Sequence, residues 1–174
     1  MSSILGFPPP RARPMPATRT LRPIAWMLAT LLLAACTGSG GNLGMIRRVN
    51  PPIASLQQVA VLPDGRWHVV LRLNNFSTVP MRFMEVESAV WIDGADAGRI
   101  VQAPAMQVPR LNAEVHAFDF DPAPAARAEM QRAVERGFSY RLEGIIRTEE
   151  PEGSFPFAFD GRLTPVPGRP GEFR

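Results

Sequence analysis

The chain of 174 residues has one cysteine, two histidines and no lysine. Because Cys36 is the single cysteine, an intrachain disulfide is excluded and the fold must rest on its apolar core. The histidines, His68 and His116, fall on separate strand-like segments without a His-x-His spacing, which argues against a zinc site. The lack of lysine makes all 19 basic residues arginine, which we interpret as composition bias rather than as a functional signal.

Acidic residues are missing from the first third of the chain. None precedes Asp64, whereas four arginines lie within the first 22 residues. The net charge of +3 is therefore unevenly placed, and the other 15 arginines face 16 acidic residues, a balance near −1. A nearly neutral domain lacks the clustered basic surface that nucleic acid requires, so we expect no nucleic-acid partner.

The chain also lacks an apolar run long enough to span a bilayer. Residues 24–35 (IAWMLATLLLAA) form an uncharged run of 12 residues, whereas a spanning helix needs about 20. Basic residues before a short apolar run are typical of a secretory signal. The run ends in LAAC, which resembles the lipobox of bacterial lipoproteins at all four positions and implies lipidation of Cys36 after removal of residues 1–35. The alternative is a buried N-terminal helix with a chance cysteine.

Two further features concern the start of the leader and the location of such a lipoprotein. The start is either Met1 or Met15, and Met15 begins the more typical leader. Thr37, rather than aspartate, follows the cysteine, and by resemblance to enteric lipoproteins this favours a periplasm-facing position on the outer membrane over the inner membrane. We interpret residues 36–52 as a flexible tether. Within it, Arg47-Arg48 could touch anionic headgroups, although such a pair is more often merely solvated.

Seven segments with strand-like character follow the tether. They are 54–62, 66–74, 81–93, 98–101, 113–121, 138–147 and 154–163. A change of parity near Met84-Glu85 predicts a β-bulge, and Asp93-Gly94 predicts a hairpin turn. Seven short strands separated by turns are typical of an antiparallel β-sandwich, which we place in residues 53–164.

One helix is predicted between the fifth and sixth strands, over residues 123–136. Asp121 would be its N-cap, Pro122 its first residue and Gly137 its C-terminal stop. Ala126, Met130, Ala133 and Val134 would form its apolar stripe. The Pro/Gly-rich residues 165–174 are predicted to be a disordered tail.

The aromatic residues divide into two groups by strand parity. Five have the parity of a buried face: Trp67, Phe83, Phe118, Tyr140 and Phe157. Gly144 also falls on an apolar face, where another backbone or a large ring could approach. Trp91 instead shares parity with Glu87 and Asp93, so we expect it to be exposed and available as a partner contact.

The sequence contains no recognisable catalytic constellation. It has no Gly-x-Ser-x-Gly element, phosphate loop or dinucleotide fingerprint. Asp119 and Asp121 could be a carboxylate pair, but a solvent-facing position is the simpler interpretation. Cys36 would be consumed by lipid. We therefore predict no enzyme, no catalytic or metal-binding residue and no cofactor.

The order of these features resembles the late embryogenesis abundant type 2 family, whose domain is also called the water-stress and hypersensitive-response (WHy) domain. The resemblance covers about residues 50–164. The residues that carry it are the loop Asn74-Asn75-Phe76, the turn Asp93-Gly94, the late helix, Tyr140-x-Leu142-x-Gly144, Pro156-Phe157 and Gly161. Family members typically have Asn-Pro-Asn in the loop, and here only the first asparagine matches.

This resemblance, together with the lipobox, implies a fold and a function. The fold would be a fibronectin III- or immunoglobulin-like antiparallel β-sandwich of about seven strands with one late α-helix. The function would be that of a non-enzymatic, lipid-anchored envelope protein that protects against stress such as desiccation. The alternative is a periplasmic interaction module, which would recruit a specific partner into an envelope complex through a sheet edge or through Trp91.

Overall fold

Alternating apolar and polar residues build two antiparallel sheets in residues 46–174, the part of the chain that the computed structural model describes. The elements are β1 (Ile53–Val61), β2 (Trp67–Asn75), β3 (Met81–Ile92), β4 (Ala95–Gln102), β5 (Met106–Val108), β6 (Asn112–Phe120), α1 (Pro124–Arg132), β7 (Phe138–Glu149), β8 (Glu152–Leu163) and β9 (Glu172–Phe173). The predicted signal peptide and Cys36 lie outside the described residues.

The two sheets form a sandwich-like arrangement. One has the strand order β6-β2-β1-β9, and the other has the order β4-β3-β7-β8, with β5 also pairing with β3. Within residues 46–174 a single α-helix accompanies the sheets, and no helix there is long and apolar enough to cross a membrane. The prediction of a mainly β antiparallel sandwich with one late helix is confirmed.

The core lies between the sheets and is filled by alternate side chains of the strands. In β2, Trp67, Val69, Leu71 and Leu73 are at most 2% exposed, and the residues between them point outward. Four of the five aromatic residues predicted to be buried are so, and Phe118 is partly buried against the core. The period of two in the sequence therefore identified the inner faces correctly.

Three local backbone predictions are confirmed. The β3–β7 register shifts between Phe83 and Glu85, where a bulge was expected. Asp93 and Gly94 have φ values of 47° and 83°, the positive pair that a tight two-residue hairpin requires. Gly144 faces the main chain of β3, because an added Cβ there would collide with the carbonyl oxygen of Glu87.

The helix is shorter than predicted and begins differently. α1 has Ala123 as its N-cap residue, without a side-chain cap, and Pro124 lies in its first turn. Asp121 is not the cap, because its carboxylate pairs with Arg127. The sequence offers prolines at 122 and 124, and the second begins the helix because the Ala123 N–H is held by the carbonyl of Ala97 at 2.9 Å.

The end of the helical region also differs in part. Since α1 ends at Arg132, Val134 leaves the apolar stripe and is 46% exposed, whereas Ala126, Met130 and Ala133 are buried. Gly137 stops the segment as predicted: its φ is 73° and its N–H donates to the carbonyl of Ala133.

The connection after β3 contains more strand than predicted. β4 extends over Ala95–Gln102 instead of residues 98–101. The region between the predicted fourth and fifth strands contains β5, whose residues Met106–Val108 pair with the start of β3. A strand of three residues is too short to leave a periodicity in the sequence.

The prediction of a disordered tail is wrong for residues 165–174. The tail turns back and adds β9 beside β1, with Phe173 opposite Val59. The Phe173 side chain is 0% exposed and meets the ring of Phe138 at a centroid distance of 5.1 Å. The Pro/Gly-rich composition is that of the turn, and it conceals one aromatic residue that completes the core.

The predicted tether is likewise too long, because residues 46–52 belong to the domain. The N–H of Arg48 donates to Thr78 Oγ1 at 2.8 Å, and the N–H of Asn50 donates to Ser77 Oγ at 2.9 Å. Pro52 is buried. These bonds join segments 27 to 30 residues apart, so local composition could not reveal them. Residues 36–45 lie outside the described part.

Candidate functional site

A groove lies beside Trp91 on the outer face of the five-stranded sheet. Its volume is about 720 Å³. Its lining residues come from adjoining ends of β3, β7 and β8 and from the β3–β4 turn: Trp91, Gly94, Ser139, Tyr140, Arg141, Asp160, Gly161 and Arg162. Trp91 is half-buried, so part of its indole face is accessible as a wall of the groove. The sequence selected Trp91 by parity, but it could not supply the neighbours, which depend on strand register.

Charged groups in the groove are already paired with one another. Arg141 contacts Asp160 at 3.0 Å and Glu143 at 3.3 Å. Its pKa is raised, mainly by the charge of Asp160 and then by the Glu143 hydrogen bond. Arg162 donates to the carbonyl of Arg136 at 2.6 Å. The groove therefore presents an aromatic face with fixed guanidinium groups, an arrangement suited to binding by stacking and hydrogen bonds.

Further ion pairs cover the same sheet face. Glu87 pairs with Arg99 across β3 and β4, and Arg147 contacts both Glu85, at 2.7 Å, and Glu87, at 3.6 Å. Glu87 and Arg99 border a second depression of about 440 Å³ that includes Pro156. Cross-strand pairs of opposite charge stabilise a sheet modestly, and they keep this face hydrated.

The candidate titratable residues are separated by the fold. His68 Nδ1 lies 3.0 Å from Asp119 Oδ1, whereas His116 Nε2 lies 3.2 Å from Gln102 Oε1. Asp119 also contacts Arg66 at 3.2 Å. Asp121 has a different partner, Arg127. Asp119 and Asp121 therefore have separate partners instead of forming one acidic pair, and no group of three metal-ligating side chains occurs in residues 46–174.

Arg66 links Asp64 of the β1–β2 turn to Asp119 of β6. The pKa of the Asp64 carboxyl is lowered, first by its side-chain hydrogen bond with Arg66 and then by the Arg66 N–H. The pKa of Arg66 is raised by the same side-chain hydrogen bond and by the Asp64 charge. This cluster closes the β1–β2 turn onto β6, and its groups are solvent-accessible, so its chemistry is that of a surface ion-pair network.

Asn75 is a structural hub that the sequence only partly revealed. It is 1% exposed, and its Nδ2 donates to the carbonyls of Val79, Val108 and Pro109 at 2.8, 3.2 and 3.1 Å. Its Oδ1 accepts from the Ser77 N–H at 2.8 Å. The bonds to Val79 and Ser77 are made within the loop, and those to Val108 and Pro109 reach a distant segment. Neither Asn74 nor Asn75 has a positive φ.

Tyr140 is among the residues that line the groove, but its side chain is buried and ties the two sheets together. Its hydroxyl donates to the carbonyl of Leu56 at 3.2 Å, where β1 has a bulge. Burial raises the pKa of Tyr140 to about 12. An added Cβ at Gly161 would lie 2.5 Å from the Tyr140 ring, so the glycine makes room for the aromatic side chain.

Comparison with known proteins gives structural neighbours of low identity. No protein-family model matches the chain, and no curated protein matches it. A solution structure named, provisionally, as a late embryogenesis abundant protein shares 14% identity, covering 84% of this chain and 89% of that one, with a TM-score of 0.43.

Two other solved structures are similar at the same level. A solution structure of an Arabidopsis thaliana protein shares 12% identity over 69% of this chain and 82% of its own, with a TM-score of 0.42. A crystal structure of an Archaeoglobus fulgidus protein shares 13% identity over 68% and 98%, with a TM-score of 0.38. At these values the likeness assigns no function, and the family resemblance rests on the residues quoted from the sequence.

Proposed function

We propose that the protein is a non-enzymatic, lipid-anchored envelope protein whose β-sandwich protects other macromolecules under stress such as desiccation. The observation that carries this proposal is the ordered set of residues that resemble the late embryogenesis abundant type 2 family, because several of them have a structural role in this fold. Asp93-Gly94 forms a positive-φ hairpin, Gly144 admits the β3 backbone, and Gly161 admits the ring of Tyr140. The resemblance to the late embryogenesis abundant type 2 family thus concerns residues with physical roles in a sandwich.

The mechanism would be protection by weak contacts from a stable, folded surface. In residues 46–174 no buried side-chain nitrogen or oxygen lacks a hydrogen-bond partner, as expected of a well-specified fold. The outer face of the five-stranded sheet carries paired charges, so it can approach other proteins without a strong field of one sign. The domain would then separate neighbouring macromolecules as water is removed.

A drying experiment tests protection directly. The purified protein is dried with an unrelated, desiccation-sensitive enzyme, and the activity of that enzyme is measured after rehydration. We expect more recovered activity than with an equal mass of serum albumin, and an equal benefit from the Trp91→Ala variant. Recovery no better than with albumin would contradict the protective function.

The anchor would be Cys36, modified on its sulfur and on the new amino terminus after cleavage. Several acyl chains hold a protein stably where one chain is marginal. Thr37 favours the outer membrane, with the domain facing the periplasm. Labelling of cells with a palmitate analogue should mark the wild-type protein and not Cys36→Ala. A Cys36→Ala protein that still took up the label and stayed in membranes would rule out this anchor.

The second candidate is an interaction module, which the groove at Trp91 favours. A half-exposed tryptophan beside fixed guanidinium groups suits an aromatic or carboxylate-bearing side chain of a protein partner. Purification from the native envelope should then yield one abundant partner, lost in Trp91→Ala. Val101→Ala is the matched control, because Val101 is 56% exposed and does not line this groove. Equal recovery of the partner with both variants would exclude the groove as its site.

A further inference from the structure

We propose that one end of the sandwich is a membrane-contact surface that seats on the phospholipid bilayer. We name this end the N-terminal tip and define it as residues 46–50 together with the loops 76–79 and 109–111. It is the end at which the described chain begins its path into β1. The inference rests on the lipid anchor of the proposed function and specifies how the anchored domain meets the membrane.

The N-terminal tip exposes a concentration of large apolar side chains. Ile46 is 68% exposed, Val49 43%, Phe76 47% and Leu111 69%. Single exposed apolar residues are ordinary, but several together mark a contact surface for protein or membrane. The other large exposed hydrophobics of residues 46–174 are valines on different elements: Val61, Val101, Val115 and Val134.

Hydrogen bonds hold the three segments of the tip together. The Thr78 hydroxyl donates to the carbonyl of Ile46 at 2.7 Å, and Asn50 Nδ2 donates to the carbonyl of Phe76 at 2.7 Å. The Leu111 N–H donates to the carbonyl of Ser77 at 3.1 Å. The apolar side chains are therefore displayed from a fixed frame, so binding would lose little conformational entropy.

Leu111 is displayed at a conformational cost. Its φ is 51°, a left-handed conformation that glycine or asparagine adopts more easily than leucine. Leucine gains nothing from burial here, because it is the most exposed of the large hydrophobics in residues 46–174. A strained, outward-pointing leucine is explained if the side chain enters an apolar environment outside the protein.

Arginines lie beside the apolar residues of the tip. Arg47 and Arg48 are exposed, and neither pairs with an acidic side chain within residues 46–174, whereas Arg66 and Arg141 each contact two carboxylates. A guanidinium binds phosphate oxygens in a fork geometry. Apolar residues interleaved with arginine suit the headgroup region of a bilayer, where apolar and phosphate groups lie at neighbouring depths.

Acidic residues at the same end of the sandwich indicate which side of the tip would face the lipid. The β7–β8 turn carries Glu149, Glu150 and Glu152, and Glu149 pairs with Arg82 at 3.1 Å. This turn belongs to the five-stranded sheet, whereas residues 46–50 lead into the four-stranded sheet. The domain would therefore tilt, with the four-stranded side of the tip toward the lipid.

The chain between Cys36 and Ile46 is short enough to keep the tip near the bilayer. Ile46 follows Cys36 by 10 residues, and a chain of that length spans at most about 35 Å when fully extended. An anchor at Cys36 therefore keeps this end of the domain close to the membrane at all times. The resulting high local concentration lets modest apolar and phosphate contacts hold the domain down.

The test measures which end of the domain touches lipid. Full-length protein isolated from membranes is reconstituted into phosphatidylethanolamine–phosphatidylglycerol vesicles, with an added cysteine at Leu111 or Val134 carrying an environment-sensitive fluorophore. Val134 is the matched control, because it is 46% exposed and lies near Gly65 of the β1–β2 turn, at the opposite end of β1. Vesicle flotation reports anchoring, and quenching by nitroxide-labelled lipid reports contact.

We expect strong quenching at Leu111→Cys and little at Val134→Cys in protein that floats with the vesicles. Adding Ile46→Asp and Phe76→Asp should remove most of the Leu111→Cys quenching while flotation persists, and adding Arg47→Ser and Arg48→Ser should reduce it. Flotation with equal quenching at both positions would refute the proposal that the N-terminal tip contacts lipid, and it would leave the proposal of a lipid anchor at Cys36 intact. Failure to float would overturn both proposals.

Discussion

Replacement of Phe173 by alanine should destabilise the domain as strongly as a change in the centre of the core. The Phe173 side chain is 0% exposed and its ring lies 5.1 Å from that of Phe138. Phe→Ala at such a site costs about 3–5 kcal/mol, including the cavity left behind, against a total stability of about 5–15 kcal/mol. β9 pairs with β1 at Val59 and Ala60, and two main-chain bonds join Arg174 to Thr164, the residue after β8, so loss of the ring should be felt by both sheets.

Urea denaturation of the purified protein measures this loss as a change in midpoint at constant m. The control is Phe76→Ala, which removes an equally large side chain that is 47% exposed and should change the free energy of unfolding by no more than about 0.5 kcal/mol. If Phe173→Ala behaved like Phe76→Ala, the last ten residues would not belong to the core, and the physical account of the tail would be refuted.

Three further outcomes follow from contacts in the described residues. Asn75→Ala should lower the free energy of unfolding by at least about 1–3 kcal/mol in urea denaturation, since it removes the partner of three carbonyls and of the Ser77 N–H. Gly144→Ala should lower the melting temperature, because its Cβ would overlap the carbonyl of Glu87 and overpacking costs about 1–3 kcal/mol; an unchanged value would contradict the close approach. Tyr140 is the single tyrosine, so phenolate absorbance should titrate near its pKa of about 12 when folded and near about 10 in urea. Because the folded pKa is the higher one, the associated stability is complete below pH about 10 and is lost as pH rises toward 12.

Local periodicity predicted the parts of the fold that depend on neighbouring residues. Alternation in residues 67–73 identified the inner face of β2, and the parity change at Met84-Glu85 located the β3 bulge. Asp93-Gly94 was recognisable because a two-residue hairpin demands positive φ at both positions. Each of these features is encoded within about a dozen residues, which is the range over which a pattern can be read.

The missed features depend on contacts between distant segments. Phe173 is one aromatic residue in a Pro/Gly-rich stretch, and its burial follows from its pairing opposite Val59. Residues 46–50 look like a linker by composition, yet they bond to Ser77 and Thr78. The groove was likewise predicted only in part. Strand parity identified Trp91, whereas its neighbours from β7 and β8 are set by strand register between distant segments.

The positions of the tip and the groove make the two surface proposals compatible. β3 begins at Met81, next to the loop 76–79, and Trp91 lies ten residues farther along it. At about 3.3 Å per residue, the groove lies roughly 33 Å from the tip, several times the Debye length of about 8 Å at physiological ionic strength. A domain seated by its tip would therefore turn Trp91 away from the bilayer, beyond the direct influence of headgroup charge. Tip variants should then change lipid contact without changing partner recovery, and Trp91→Ala should do the reverse. A variant of either surface that changed both readouts would mean that the two ends are not independent.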